Sequence, residues 1–410
     1  MTQSCDRTVQ PIRSLSEEMG RGLALCLGFA TFLPIGINYL LLLGFGLLCL
    51  SPTWRRSRAS LDSHWRWLLW LLLAWPGMVW LAHGTGLDAL PRWAHSARLV
   101  ACLALALTLP LHERKALLAG FLLGAIWTAG VVLVHHQLMP LPEWAIWHTL
   151  LSVKGNASSQ KWILLATASG MGVWLAWQWL DTRWQRTALL ALALLWGALV
   201  ATYAVSRNAH LVLLLMPWLL LAYRYRQPRA WLLGGLLACG AGVLLWQWSP
   251  TMASRFNAGL GELGALALEG DFSGSVSVRA QMVWTAWAQM WQHPFIGTGL
   301  GSWAEIWAEA SQRHPDMAGV NNPHNDYALW GMETGLPGLM LLVLMQVKML
   351  HQAWQRPTTI WRGAGWLTTC ALCLTAAVNA PYRDAALGMS LLILATSLST
   401  WPTEPDNDSS

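Results

Sequence analysis

Residues 321–338 read NNPHNDYALWGMETGLPG, a polar segment that runs directly into an apolar stretch continuing to Leu350. That stretch is long enough to cross a lipid bilayer as a helix, for which about 20 residues are needed. His324 lies at the boundary, and an imidazole with a pKa of about 6.5 is suited to general-base chemistry. The segment predicts a membrane helix with a reactive group at its polar end, where a lipid-linked substrate could be handled.

The composition of the whole chain indicates the same class of protein. Hydrophobic residues make up 55% of the 410 residues and charged residues only 11%, which a soluble surface cannot accommodate. We therefore predict an all-α polytopic membrane protein with about twelve transmembrane helices. The apolar stretches lie at about residues 22–34, 36–50, 66–83, 93–110, 115–134, 161–180, 187–205, 209–223, 230–248, 327–350, 363–380 and 385–400.

These stretches predict four parts of the chain. Residues 1–248 form an N-terminal bundle of about nine spans, and residues 249–326 form a large loop with amphipathic helical segments. Residues 327–400 form three C-terminal spans, and residues 401–410 form a disordered tail. The first hairpin is the least regular, because Pro34 and Gly36 interrupt it.

The distribution of positive charge predicts the orientation, because Lys and Arg are enriched in cytoplasmic loops. With the N-terminus in the cytoplasm, seventeen of the 26 Lys and Arg residues fall on the cytoplasmic side and nine on the other. We therefore predict that both termini are cytoplasmic and that residues 249–325 lie outside the cytoplasm. The net charge of +6 belongs mostly to short cytoplasmic turns and indicates no nucleic-acid partner.

Two arginines on the predicted outer side are candidates for binding phosphate. Arg207 lies in a tight connection between two spans, flanked by Ser206 and Asn208. Its planar fork of N–H donors suits phosphate, although a snorkelling or helix-capping arginine is equally compatible with the sequence. Arg279 is predicted near the start of a helix capped by Ser277, where exposed N–H groups also favour an anion. A solvated surface arginine remains the alternative for Arg279.

The other polar features predict structural roles. Cys, His, Asp and Glu lack the spacing of a metal site, and neither a disulfide framework nor a cofactor is indicated. Glu333 lies about two and a half turns after His324 on a continuous helix, and we expect it to pair with an arginine or another buried polar group. The glycines between His293 and Gly301 lack the strand and the Lys-Ser/Thr of a phosphate loop, so backbone packing is expected there.

The segment also matches a family signature, which is His, then Asn, Ser or Gln, then nine residues, then Gly-x-x-Gly. Here it is His324-Asn325, nine residues and Gly335-Leu336-Pro337-Gly338. With the upstream Ser-Arg turn at residue 207, Val278-Arg279 and His293-Pro294, the chain resembles the O-antigen ligase and polymerase superfamily of membrane glycosyltransferases. The resemblance is specific from about residue 200 to 340 and only architectural before that.

The resemblance implies a GT-C-like fold and a donor glycan linked to undecaprenyl pyrophosphate. It implies that Arg207 and Arg279 engage the pyrophosphate and that His324 activates an acceptor hydroxyl, with Ser206, Asn208, Asn325, Asp326 and Tyr327 as flanking substrate-binding candidates. For a ligase, the acceptor is lipid A-core on the periplasmic face of the bacterial inner membrane, and the transfer is inverting and metal-independent.

Three other functions stay open at this point. An O-antigen polymerase or a protein O-oligosaccharyltransferase would use the same donor with another acceptor. A lipid-linked glycan transporter would place charges near the bilayer midplane, whereas the ionisable residues here lie mostly at span ends or in loops.

Overall fold

The computed structural model describes residues 15–57, 60–84, 86–142, 146–151, 156–178, 182–269, 274–311, 319–320, 322–355 and 359–401. Regular structure within these ranges is entirely helical. The α-helices are α1 Leu15–Ala30, α2 Ile35–Leu48, α3 Pro52–Ser57, α4 Ser63–His83, α5 Leu90–Thr108, α6 Leu111–Leu133, α7 His148–Leu151, α8 Asn156–Gln178, α9 Arg183–Tyr203, α10 Arg207–Tyr225, α11 Pro228–Trp248, α12 Pro250–Glu269, α13 Ser275–Gln292, α14 Trp303–Ala310, α15 Asp326–Trp354, α16 Ile360–Val378 and α17 Ala385–Ser399.

The fold is that of an all-α membrane protein. Within the described ranges, four helical segments are long and apolar enough to cross a membrane, namely Leu111–Leu138, Arg183–Tyr203, Pro228–Trp248 and Asp326–Trp354. Each of the twelve apolar stretches of the sequence coincides largely with a helix, but the count of about twelve transmembrane helices stays a prediction. The predicted tail from residue 402 onward lies outside the described residues.

The helices pack into one bundle that leaves apolar side chains on its outer surface. Helix α11 exposes Leu232, Leu236 and Leu244, each more than 60% exposed, as expected of a helix that faces lipid. Helices α1 and α6 approach closely through Gly28 and Gly120, where a Cβ atom would collide with the backbone of the facing helix. Such small residues are typical of membrane helix contacts, since they let backbones come together.

Helix α15 is broken inside the membrane-length segment. Gly335 has φ 72° and ψ −177°, a conformation open essentially only to glycine, and Pro337 follows it. A break in a membrane helix leaves backbone N–H and C=O groups that need partners from the protein. Trp75 of α4 supplies one, because its indole N–H donates to the Thr334 carbonyl oxygen at 2.9 Å.

The turn that follows α13, residues 293–302, supplies further hydrogen-bond partners for backbone groups near the break. We term it the docking turn. The Thr298 N–H donates to the Met332 carbonyl oxygen at 2.7 Å, and the Leu336 N–H donates to the Pro294 carbonyl oxygen at 2.7 Å. Gly297 packs its backbone against α15 so closely that a Cβ atom would collide with residues 332–334. The expectation of backbone packing is therefore confirmed for Gly297.

The start of α13 differs from the sequence-based prediction. The helix begins at Ser275 with Gly274 as its N-cap residue, so the prediction of Ser277 as the cap is wrong. The Ser277 hydroxyl bonds back to the Gly274 carbonyl oxygen, and the acceptor at the helix N-terminus is instead the Glu262 carboxylate of α12, which accepts from the Val276 N–H. Arg279 therefore lies one turn into the helix.

We predict that Gly335→Ala lowers the free energy of unfolding by about 1 to 3 kcal/mol, because it forces a side chain into a glycine-only conformation. The added Cβ atom would also lie 2.5 Å from the Phe295 carbonyl oxygen of the docking turn. Thermal unfolding of the purified protein in detergent checks this. Gly240→Ala is the matched control, since it lies on exposed α11 with no heavy atom within 4 Å of the new Cβ, and it should leave stability unchanged or raise it. Equal melting temperatures for the two variants would contradict the role assigned to the break.

Candidate functional site

A small polar cavity opens at one end of the bundle. This is the end at which α8, α10, α15 and α17 begin, and we term it the site end. Its volume is about 80 Å³, which suits a phosphate-sized group and not a glycan. The cavity is lined by Ser159, Ser206, Arg207, Asn208, Arg279, His324, Val378 and Asn379. Segments from α8, α10, α13, the start of α15 and the end of α16 therefore meet at one point.

Arg207 is held at the N-terminus of α10 by contacts with α12 and α13. Ser206 caps α10, since its hydroxyl oxygen accepts from the Ala209 N–H, so Arg207 is the first helical residue. Its Nε donates to the Arg255 carbonyl oxygen at 3.1 Å, and its Nη2 lies 3.5 Å from a Glu262 carboxylate oxygen. The Arg207 side chain is 23% exposed and lies beside a carboxylate.

Arg279 adds a second guanidinium that is incompletely satisfied. Burial and the positive charge of Arg207 lower the pKa of Arg279, and Glu262 opposes that change. The Arg279 Nε is buried and has no hydrogen-bond partner among the described residues. A solvated surface arginine is therefore not what the structure contains. In the described part of the chain, these two cations face the single carboxylate of Glu262, an imbalance that favours an additional anion.

Glu262 occupies a position that an anion would favour. Its carboxylate accepts from the Val276 N–H at the start of α13 and pairs with Arg207. A helix N-terminus carries partial positive charge and unpaired N–H groups, so a carboxylate is stabilised there. Glu262 and Val276 lie on different helices, so their contact depends on how α12 and α13 pack and could not be predicted from the local sequence.

His324 has an unusual backbone conformation and a strongly perturbed imidazole. Its φ of 54° is left-handed, which is uncommon outside glycine, and its N–H donates to the Asn322 side-chain oxygen at 2.9 Å. Burial first, and the nearby charge of Arg279 second, lower the pKa of His324 from 6.5 to about 4. A polar contact with Asn379 and the charge of Asp384 act in the opposite direction. The imidazole is therefore neutral at physiological pH.

Three of the predicted substrate-binding residues do not line the cavity. Asn325 caps α15, because its side-chain oxygen accepts from the Ala328 N–H while its amide donates to Ala377 at 2.8 Å. The Tyr327 hydroxyl donates to Gln346 at 2.8 Å inside the bundle. Asp326 is fully buried and accepts from the Tyr382 N–H at 2.8 Å. The Tyr327 hydroxyl also lies within hydrogen-bonding distance of the Cys373 carbonyl oxygen. These side chains therefore contact α16, the turn that follows it and the body of α15, and they fix the segment that presents His324.

Two polar cavity residues, Ser159 and Asn379, were missed by sequence reasoning. Ser159 lies at the start of α8, and its hydroxyl is 2.6 Å from that of Ser206. Asn379 ends α16, and it is a polar residue between two apolar stretches, directly before Ala380-Pro381. That position was a usable signal, because a polar residue at the end of a membrane helix faces the same aqueous boundary as His324. Asn208 does reach the cavity, and its amide donates to the Val378 carbonyl oxygen at 3.2 Å.

Metal ligands do not cluster in the described part of the chain, where no three His, Cys, Asp or Glu side chains come together as a metal site would require. The polar groups that converge at the cavity are cationic, hydroxyl and amide groups. Such groups suit an anionic ligand.

Comparison with known families agrees with the motifs. The family model described as O-Antigen ligase matches residues 190–343. Residues 190–343 are therefore similar to the O-antigen ligase family. The matched segment contains Arg207, Arg279 and His324, and it also includes the docking turn and the broken part of α15. No curated protein matches the chain significantly.

We predict that His324 titrates at about pH 4 and not at its ordinary 6.5. Burial disfavours the charged imidazolium, so the proton is lost at lower pH. NMR of protein labelled at the histidine ring carbons, with His324→Gln to assign the signal, measures this value. Arg279→Gln should move the titration upward by removing a nearby like charge. A midpoint near 6.5 for His324 in the unaltered protein would contradict the geometry described.

Proposed function

We propose that the protein is an O-antigen ligase that transfers a glycan from undecaprenyl pyrophosphate to a sugar hydroxyl of lipid A-core. The observation that carries the proposal is the convergence of Arg207, Arg279 and His324, which are more than a hundred residues apart from first to last, on one polar cavity. We also propose that the cavity faces the periplasm at the inner membrane and that both termini are cytoplasmic.

The donor is held by its pyrophosphate. Arg207 and Arg279 supply charge-assisted N–H donors at the membrane boundary, while the polyprenyl chain stays in lipid and the glycan extends outward from the small cavity. As the glycosidic bond breaks, negative charge grows on the leaving phosphate oxygen. Prearranged guanidinium groups in a partly desolvated site stabilise that charge more in the transition state than in the bound donor.

His324 acts on the acceptor. The neutral imidazole accepts the proton of the attacking hydroxyl while that oxygen bonds to the anomeric carbon. The bond from the anomeric carbon to the pyrophosphate breaks with its electron pair passing to the phosphate oxygen, and attack from the opposite face inverts the configuration. An anionic donor beside the ring would offset the charge of Arg279 and raise the pKa of His324, so the base becomes stronger when the donor is bound.

We predict that Arg207→Lys and Arg279→Lys each lower the rate of transfer about a hundredfold, equivalent to roughly 2 to 4 kcal/mol. Lysine keeps the charge but loses the planar fork of donors that fits a phosphate. An in vitro assay with purified lipid-linked donor and lipid A-core measures this at equal amounts of folded protein. Arg229→Lys is the control, since Arg229 is exposed at the start of α11. Near-native transfer by both site variants would show that Arg207 and Arg279 do not bind the pyrophosphate through paired N–H donors.

We predict that His324→Ala binds the donor but does not transfer the glycan, because the base acts on the acceptor hydroxyl. Donor binding and single-turnover transfer are measured separately in the same detergent. Loss of donor binding together with transfer would mean that His324 holds the donor, and transfer at a near-native rate would mean that it is not the base.

The acceptor is tested in cells that lack the gene. If the protein is a ligase, lipopolysaccharide from these cells lacks the long ladder of bands on a gel, while the lipid-linked polymer is retained. Short caps of a single repeat unit would instead identify a polymerase, which uses the same donor. An unchanged ladder with a lost glycoprotein would identify a protein O-oligosaccharyltransferase.

The orientation is tested with a reporter inserted within residues 259–264 of α12, which lies at the site end. Activity of a reporter that works only in the periplasm supports the proposed side. Activity of a cytoplasmic reporter at the same position would reverse the orientation and place the cavity on the wrong face for this reaction.

A further inference from the structure

A second group of cations lies at the site end, outside the cavity, and the proposed mechanism does not use it. It comprises Arg92 and Arg98 in the first three turns of α5 and Arg383 in the turn between α16 and α17. All three arginines lie within electrostatic reach of His95, so the cations share one small region. Positive residues are depleted on the side of a membrane protein that faces away from the cytoplasm, so this grouping needs a physical reason.

Arg98 is fully engaged and fixes the turn that carries Arg383. Its Nη2 donates to the carbonyl oxygens of Tyr382 at 3.1 Å and of Arg383 at 2.8 Å. Its Nη1 donates to the Tyr39 hydroxyl at 3.1 Å. Arg98 therefore acts on the backbone and is not available for a ligand.

Only one of the two terminal nitrogens of Arg383 has a hydrogen-bond partner among the described residues. Its Nη1 donates to a Glu333 carboxylate oxygen at 3.0 Å, which confirms the expectation that Glu333 pairs with an arginine. The same Glu333 oxygen accepts from the Gly301 N–H at 3.0 Å and so ties the docking turn to α15. The Arg383 side chain is 10% exposed, yet its Nη2 is buried with no hydrogen-bond partner among the described residues. A desolvated guanidinium N–H without a partner is costly and indicates an absent acceptor.

Arg92 is the free cation of the group. No hydrogen bond or ion pair with a described residue engages its half-buried guanidinium, and Glu333 acts on it only at longer range while Arg383 repels it. Its stem packs beside the backbone of Gly301 in the docking turn. Glu333 therefore bonds Arg383 and a backbone N–H, and it acts on Arg92 only through longer-range charge. Asp384 does not help, since its carboxylate bonds Gln160 and the Ala386 N–H on the other side of the turn.

We propose that Arg92 and the free Nη2 of Arg383 bind a phosphoryl group carried by the acceptor glycolipid. Arginine forks match the oxygens of a phosphate, and a phosphate would relieve the repulsion between the two guanidinium groups. This inference rests on the proposed function, because it assigns the anion to the acceptor of that reaction.

The position of the second site relative to the cavity supports an acceptor role. The turn between α16 and α17 separates the two sites, with Asn379 in the cavity beside His324 and Arg383 four residues later in the second group. A phosphorylated acceptor held by Arg92 and Arg383 would extend past this short turn toward the His324 imidazole. Donor and acceptor phosphates would then bind separate pairs of arginines, so the two substrates do not compete for one cation site.

The decisive variant is Arg92→Gln, because it removes no hydrogen bond or ion pair with a described residue. For a phosphorylated acceptor, we expect kcat/KM to fall about ten- to hundredfold, mainly through KM, while donor affinity stays unchanged. For the same acceptor after chemical dephosphorylation, the unaltered protein and Arg92→Gln should react equally. Arg229→Gln, which removes an exposed charge from α11, is the control and should behave like the unaltered protein with both acceptors.

Direct binding of the phosphorylated acceptor to the unaltered protein and to Arg92→Gln is measured as well, without donor. This measurement tests the second site even if no transfer occurs, so the failure of the proposed function can be told apart from that of the inference. An equal loss with both acceptors, or no loss with either, would overturn the proposal. If the loss of kcat/KM in Arg92→Gln depends on anionic phospholipid in nanodiscs and not on the acceptor phosphate, the site binds a lipid headgroup. That result would also overturn the proposal.

Discussion

The break in α15 and the turn that fills it set the geometry of the site end. Gly335 takes a conformation that only glycine tolerates well, and the backbone groups released there bond with residues 294 and 298 of the docking turn. Because the docking turn directly follows α13, the contact fixes the helix that carries Arg279 against the helix that follows His324. Glu333 adds a charged contact to the same joint through Gly301 and Arg383. Two segments that are remote in sequence are thereby held so that a cation and an imidazole line one cavity.

The charges at this end follow one pattern, in which guanidinium groups outnumber the carboxylates that face them. Glu262 neutralises part of the charge of Arg207 and Arg279, and Glu333 does the same for Arg92 and Arg383. Among the described residues, Arg279 Nε in one pair and Arg383 Nη2 in the other are buried without a hydrogen-bond partner. This arrangement destabilises the empty site and favours an anion that arrives from outside. It also keeps His324 neutral, since the imidazole lies in a partly buried position next to a cation.

Much of this could be predicted from the sequence, and the remainder depended on tertiary contacts. The apolar stretches located the helices because hydrophobic length is a local property. The motif located His324, Arg207 and Arg279, whose residue types suit the chemistry on their own. Asn325, Asp326 and Tyr327 were assigned to the substrate by proximity to His324, but a helix turns successive side chains about 100° apart, so these point into the bundle. The group that caps α13 could not be predicted from the neighbouring sequence, because Glu262 belongs to another helix. Asn379 lies in a separate part of the chain, and only the packing of α16 beside α15 brings it to the cavity.

The central claim is that the cavity lined by Arg207, Arg279 and His324 holds the pyrophosphate of the donor carrier. A cryo-EM structure of the protein with bound undecaprenyl pyrophosphate tests this most directly. We expect phosphate density within hydrogen-bonding distance of both guanidinium groups, near the N-terminus of α13. The polyprenyl chain should leave along the lipid-facing surface, and His324 should lie on the outward side of the phosphates. Phosphate density at Arg92 and Arg383, with the cavity empty, would contradict the account, because the donor would then occupy the site assigned to the acceptor.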